Sequence, residues 1–153
     1  MRRLILTMAA FAFVGCVRTH ANEATGEVDV DVESPTKKGE DWNGSLVARG
    51  GSGITGTFKA NVADGKTTVS VNLANAMAGQ RLPWHVHNGT CDNDMGIFGD
   101  ASSYPTIVVA NDGTASVNTV LNFTLDEAKD YMINVHASPT NLQTIVACGD
   151  LDD

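Results

Sequence analysis

From Trp42 onward, apolar residues come in short runs that alternate with polar ones and are interrupted at close intervals by Gly, Asn or Asp. The clearest run is 67–73, where Thr68, Ser70 and Asn72 alternate with Val69, Val71 and Leu73. Successive side chains on a strand project to opposite faces, so this pattern puts one face in a core and the other in water. The same reading predicts strands at 44–49, 54–62, 84–87, 106–110, 115–123, 131–136 and 144–148, with a single helical turn at 125–130. Gly50-Gly51-Ser52-Gly53, Ala63-Asp64-Gly65-Lys66 and Asn111-Asp112-Gly113 are the turn signals between neighbouring runs. Trp84 and Phe123 are the large aromatic residues expected in the core. No segment shows a sustained helical stripe, and no repeat of 20–50 residues is visible. About eight antiparallel strands at this spacing predict an all-β fold, a Greek-key sandwich or barrel.

Before Trp42 the pattern changes twice. Arg2 and Arg3 precede an apolar run over 4–14, which has the length of a signal-peptide core and is too short to span a bilayer. It ends in Phe13-Val14-Gly15-Cys16, which resembles the bacterial lipobox, with Phe13 where that motif prefers Leu. Cleavage before Cys16 makes 1–15 a lipoprotein-type signal peptide and Cys16 the lipidated residue. An ordinary signal-peptidase cut after Thr19-His20-Ala21 is the alternative, and it would discard Cys16. Residues 16–41 carry Glu23, Glu27, Asp29, Asp31, Glu33, Glu40 and Asp41 and read as an acidic tether, with room for one edge strand in the Val28, Val30, Val32 alternation. The β domain then covers 42–153.

Composition narrows the partners. The chain has 153 residues, 42% of them hydrophobic, which suits one core. Ten Lys and Arg against eighteen Asp and Glu give a net charge of -8, and loss of Arg2 and Arg3 with the signal takes it to -10. That excess excludes a broad basic surface for nucleic acid or anionic lipid, so contact with a membrane is expected only through a lipid on Cys16. The three cysteines, Cys16, Cys91 and Cys148, form no CxxC pair of a zinc ribbon or thioredoxin-like site. Either cleavage leaves Cys91 and Cys148 as the available thiols, and in the oxidising compartment of an exported protein they are expected to pair. The odd cysteine count then belongs to the precursor.

Three of the four histidines, His85, His87 and His136, fall in predicted strands. By strand alternation His85 and His87 share one face while Trp84 and Val86 occupy the core face. In 131–136, Ile133 and Val135 form the apolar face and Met132, Asn134 and His136 the other. The three imidazoles are therefore expected to point outward, open to solvent. An i, i+2 histidine pair on a rigid strand presents two nitrogen donors, which suit Cu, Zn or Ni better than Mg or Ca. Spacing alone does not distinguish such a site from solvated histidines.

The text around them adds to this. Trp84-His85-Val86-His87-Asn88-Gly89-Thr90-Cys91, then Asn134-Val135-His136, then Val146-Ala147-Cys148-Gly149, resembles the copper/zinc superoxide dismutase family in order and in placement on strands. The resemblance covers about 44–151 and includes the Asn111-Asp112-Gly113 hairpin. It implies a superoxide dismutase-like Greek-key fold, copper ligands and catalytic centre at His85, His87 and His136, and a disulfide from Cys91 to Cys148.

The departures from that family are specific. Its full site adds a fourth, bridging copper histidine, two further zinc histidines and an Asp, whereas the one remaining histidine here is His20 in the tether. One copper ion and no zinc are expected. The segment after His87 is short, and its Asp92, Asp94 and Asp100 read as turn residues rather than ligands. The family's active-site arginine lies three residues before the second disulfide cysteine, where this chain has Ile145, and no Arg follows Arg81. With the histidines accounted for, no Ser-His-Asp arrangement remains for a hydrolase.

The expectation is an exported, copper-dependent superoxide dismutase-like protein of modest activity, located in the bacterial cell envelope as a periplasmic or outer-membrane lipoprotein. Superoxide is the expected substrate. The alternative is a non-enzymatic module that stores, delivers or senses copper in exchange with a donor or acceptor protein, and the third reading is a β domain without metal.

Overall fold

The computed structural model describes residues 40–151 and, before them, two short strands, β1 (His20–Ala21) and β2 (Val28–Asp29). The signal segment 1–15, Cys16 and most of the tether lie outside the described residues. The chain divides into two units, Met1–Lys37 and Lys38–Asp153. In the first, β1 and β2 pair antiparallel, with Ala21 opposite Val28.

The second unit is all-β. Its strands are β3 (Glu40–Ala48), β4 (Thr55–Ala63), β5 (Lys66–Ala74), β6 (Arg81–Leu82), β7 (Trp84–Thr90), β8 (Asn93–Ile97), β9 (Ile107–Val108), β10 (Ala115–Leu121), β11 (Tyr131–Ser138) and β12 (Asn141–Asp150). Eight of them form one antiparallel sheet in the order β10-β5-β4-β3-β12-β11-β7-β8, curled into a half-barrel. The short pair β6-β9 joins the sheet at two places, β6 against β11 and β9 against the edge strand β10. β10 therefore returns beside β5 after the chain has crossed to the other side, which is a Greek-key connection.

Alternation builds this sheet as the sequence predicts. In β5, Thr67, Val69, Val71 and Leu73 are buried, and the residues between them are not. Val69, Val71 and Leu73 pack with Trp42, Leu46, Phe58, Trp84, Tyr131 and Ile133 in one core, against which Phe123 also rests. Trp84 is fully buried, and its indole N–H donates to the Pro105 carbonyl at 2.9 Å, so the one polar atom of that ring is satisfied. Gly149 lets β12 pass close to β3, because a Cβ there would stand 2.4 Å from the Ser45 carbonyl oxygen and 2.9 Å from the Phe58 ring.

Three predicted elements differ. The expected helical turn at 125–130 is a turn without helix, closed by Lys129 N–H on the Asp126 carbonyl at 3.0 Å, with the Asp126 carboxylate accepting from Ala128 N–H. Asp126 competes for the backbone donors that a helix would use. The strand expected at 106–110 is only the two residues of β9, paired with the equally short β6, although Val109 still bonds the backbone of Gln80 and Gly79. β8 was expected as a loop, yet it pairs with β7.

Candidate metal centre

β7 lies between β11 and β8 in the sheet. Its register with β11 sets His85 opposite Asn134 and His87 opposite Met132, while Trp84 and Val86 face Val135 and Ile133 on the core side. His136 continues the same face of β11, at a bulge in its pairing with β12, and its N–H donates to the Pro83 carbonyl at 2.8 Å. The histidine face is thus the predicted one. Its exposure is not, since His85, His87 and His136 are only 6%, 5% and 3% exposed. A second layer covers them: β8 folds back over His87, the β11–β12 hairpin brings the Leu142 carbonyl onto His136, and the Tyr104 ring packs edge-on against His85 at 5.2 Å. Alternation identifies a face of a sheet but carries no information about a distant segment laid across it.

The hydrogen-bond network assigns the ring protons. His136 Nδ1 lies 2.7 Å from the Leu142 carbonyl, which can only accept, so Nδ1 carries the hydrogen and Nε2 is left with its lone pair. His87 Nδ1 lies 2.8 Å from Asp94 Oδ1, which by the same logic makes His87 Nε2 the free lone pair. That nitrogen is buried and has no hydrogen-bond partner. His85 Nδ1 stands 2.9 Å from His136 Nε2. One donor atom from each of the three residues falls within 4.8 Å of the other two. Two nitrogens bound to one ion at tetrahedral or trigonal angles stand about 3.3–3.6 Å apart. Drawing the widest pair together by about 1 Å converts this cluster into a three-nitrogen site, so the residues fit a single soft or borderline metal ion. The partnerless buried nitrogen is the feature that a bound ion would satisfy.

Burial, reinforced by the neighbouring His136 and His87 rings, pushes the His85 pKa down to about 4. Burial also lowers His136, with His87 adding to the effect and the Leu142 carbonyl and Asp94 opposing it. Both rings are therefore neutral at pH 7, the form that ligates a metal. Burial works to raise Asp94, but the Gly96 N–H at 2.7 Å and the bond to His87 hold its carboxyl below the ordinary value.

Cys91 and Cys148 form a disulfide, as expected, with Cα atoms 5.9 Å apart. The bridge points to an oxidising, extracytoplasmic compartment. It ties the chain just after β7 to β12, next to the Asn134 position on β11, and Cys91 N–H also donates to Asp150 Oδ1 at 2.6 Å. Of the three acidic residues read as turn residues, Asp92 makes an exposed pair with Arg49 at 3.6 Å and Asp100 caps the 3-10 turn Ala101–Ser103. Asp94 does more, since it holds His87. Asn134 and the Leu142 carbonyl are the other contributors that sequence reasoning missed. Asn134, on the histidine face of a predicted strand, carried a signal in being polar where its neighbours were apolar. The Leu142 carbonyl carried none.

A scan against protein-family models finds no match for this chain. A search of the curated proteins finds no significant relative.

Proposed function

We propose that this protein is an exported copper-binding protein of the superoxide dismutase type, in which His85, His87 and His136 hold one copper ion and act as a centre of modest dismutase activity. The observation that carries the reading is the convergence of three buried imidazoles, one of them with a ring nitrogen that has no partner. Supporting it, the His-X-His pair, the late histidine and Cys148 lie on adjacent strands of one curled antiparallel sheet, with Cys91 just past the end of β7, in the order the family resemblance implies. Nitrogen donors with no carboxylate among them favour copper over Mg or Ca, and with a single cluster of three histidines among the described residues a second, zinc site is not proposed.

Bound copper supplies one-electron chemistry, alternating between its +2 and +1 states. The overall reaction converts two superoxide anions and two protons into dioxygen and hydrogen peroxide. With no carboxylate among its ligands, a bound ion would keep positive charge at the site, which would attract an anion into a protein that is strongly acidic overall. The β domain's sequence holds no fourth histidine, so the protons come from water. Ile145, half-buried, pairs opposite His136 where the family resemblance implies an arginine, so substrate attraction lacks that cation. The same residue, together with the burial of all three histidines, favours the second reading, a copper storage or delivery module that exchanges the ion with a partner protein. Attachment to the bacterial envelope through lipidated Cys16 belongs to the proposal as well.

The deciding experiment loads the purified protein with copper and assays superoxide dismutation beside His136→Ala. The enzyme reading expects activity in the wild type that falls at least tenfold in the variant. Equal activity of the two overturns it, and tight copper binding without dismutation selects the storage or delivery reading. Calorimetry that finds no site tighter than micromolar for Cu(I) or Cu(II) rejects both.

A further inference from the structure

Every residue of β8 is exposed, yet the Asp94 carboxylate on this strand turns back toward the sheet and spends both oxygens there. Oδ1 accepts from His87 Nδ1 at 2.8 Å and from Gly96 N–H at 2.7 Å, and Oδ2 accepts from Asn134 Nδ2 at 3.1 Å. Asn134 is 3% exposed and sits directly opposite His85, so one carboxylate is linked to the surroundings of two of the three histidines. The contrast with His136 is informative. Its Nδ1 proton goes to a neutral carbonyl, that of Leu142, whereas the His87 Nδ1 proton goes to an anion.

We infer that Asp94 is a positioning residue of this centre: it locks His87 as an Nε2 donor and, through its charge, biases a bound copper ion toward the +2 state. The inference rests on the three-histidine copper reading above. Its physical basis is twofold. A hydrogen bond from the remote ring nitrogen fixes the tautomer and orientation of a ligating imidazole, and a carboxylate acceptor makes that imidazole a stronger donor. A full negative charge one ring away also stabilises a doubly charged ion more than a singly charged one. His136 is also held through its Nδ1, but by the neutral Leu142 carbonyl rather than by a carboxylate, so the ligands are electronically unequal.

The test uses the full-length protein, Asp94→Asn, Asp94→Ala and His87→Ala, with dissociation constants for Cu(II) and Cu(I) from chelator competition and Cu(II) electron paramagnetic resonance spectra. Asn at position 94 keeps an oxygen for His87 and Gly96, and the Asn134 amide can rotate to face its nitrogen, so this variant removes charge while retaining the bonds. Asp94→Ala is expected to lose about 10–100-fold in Cu(II) affinity. Asp94→Asn is expected to weaken Cu(II) at least tenfold while leaving Cu(I) within about threefold, with an altered Cu(II) spectrum. A tenfold change in that ratio raises the reduction potential by about 59 mV. Equal weakening of both oxidation states by Asp94→Asn overturns the charge bias. Wild-type affinities and spectrum in both Asp94 variants, with His87→Ala impaired, overturn the inference while leaving the copper reading intact. Absence of copper binding by the wild type overturns both. Far-UV circular dichroism confirms that each variant is folded, and Asp94→Asn decides the question if Asp94→Ala is not.

Discussion

Reducing the Cys91–Cys148 bridge is the perturbation whose magnitude follows most directly from the fold. The two cysteines are 57 residues apart, and the loop they close contains β8 through β11 and most of β12, including His136. Opening a loop of that size gives the unfolded chain back conformational entropy worth about 4 kcal/mol at 25 °C. That is roughly a thousandfold in the folding equilibrium, and a large part of the 5–15 kcal/mol typical of a whole domain. Reduction in place changes few atoms of the folded state, since Cys148 stays buried 3.7 Å from the Met132 sulfur. Equilibrium urea unfolding of the metal-free protein, oxidised and then reduced with dithiothreitol, reads the difference by extrapolation to water. Cys91→Ala/Cys148→Ala serves as the control and is expected to be insensitive to the reductant. A reduced wild type within 1 kcal/mol of the oxidised form would refute the reasoning, because the bridge would then constrain an unfolded state that is already compact.

Three further outcomes are expected. Metal-free protein loses stability on acidification: the folded pKa of His85 is lowered from 6.5 to about 4, so its contribution is fully present above pH 6.5 and declines as the pH falls toward 4. For this nearly buried ring the loss amounts to about 3 kcal/mol, and urea midpoints from pH 7 to 4 should show a larger loss in the wild type than in His85→Gln, where only the contribution of His136 remains of the two lowered histidines. Gly89→Ala should cost about 2 kcal/mol, within the usual range for backbone strain, because Gly89 has φ +92 and an added Cβ would stand 2.2 Å from the Asn93 carbonyl oxygen; thermal unfolding measures it. Trp84→Ala should destabilise by about 3–5 kcal/mol, as the ring fills the core directly behind the histidine strand, and an unchanged melting temperature would contradict that placement.

Much of the architecture was legible in the chain. Alternation in 67–73 assigned β5 its buried face, and the phase of Trp84-His85-Val86-His87 assigned the histidines to the face away from the core. Asn111-Asp112-Gly113 announced a tight turn, and in it the Asp112 carboxylate accepts from Thr114 N–H at 3.0 Å while Gly113 takes φ +80. β8 was not legible, because Asn93-Asp94-Met95-Gly96-Ile97 has the composition of a turn. It becomes a strand only by pairing with β7 across a register shift between His87 and Gly89. The helical turn at 125–130 failed for a related reason, since Asp126 offers its own side chain to the backbone.

By itself the sequence determined the fold class, the face on which His85, His87 and His136 sit, and the pairing of Cys91 with Cys148. Those properties depend on period-two alternation and on how few thiols there are, and both can be read without knowing which strands are neighbours. Only the tertiary structure decided that the three histidines are buried rather than solvated, that His87 Nε2 lacks a partner, and that Asp94 and the Leu142 carbonyl orient two of the rings. Those properties depend on segments from different parts of the chain being laid over one face of a sheet, and no local pattern of hydrophobic and polar residues encodes that contact.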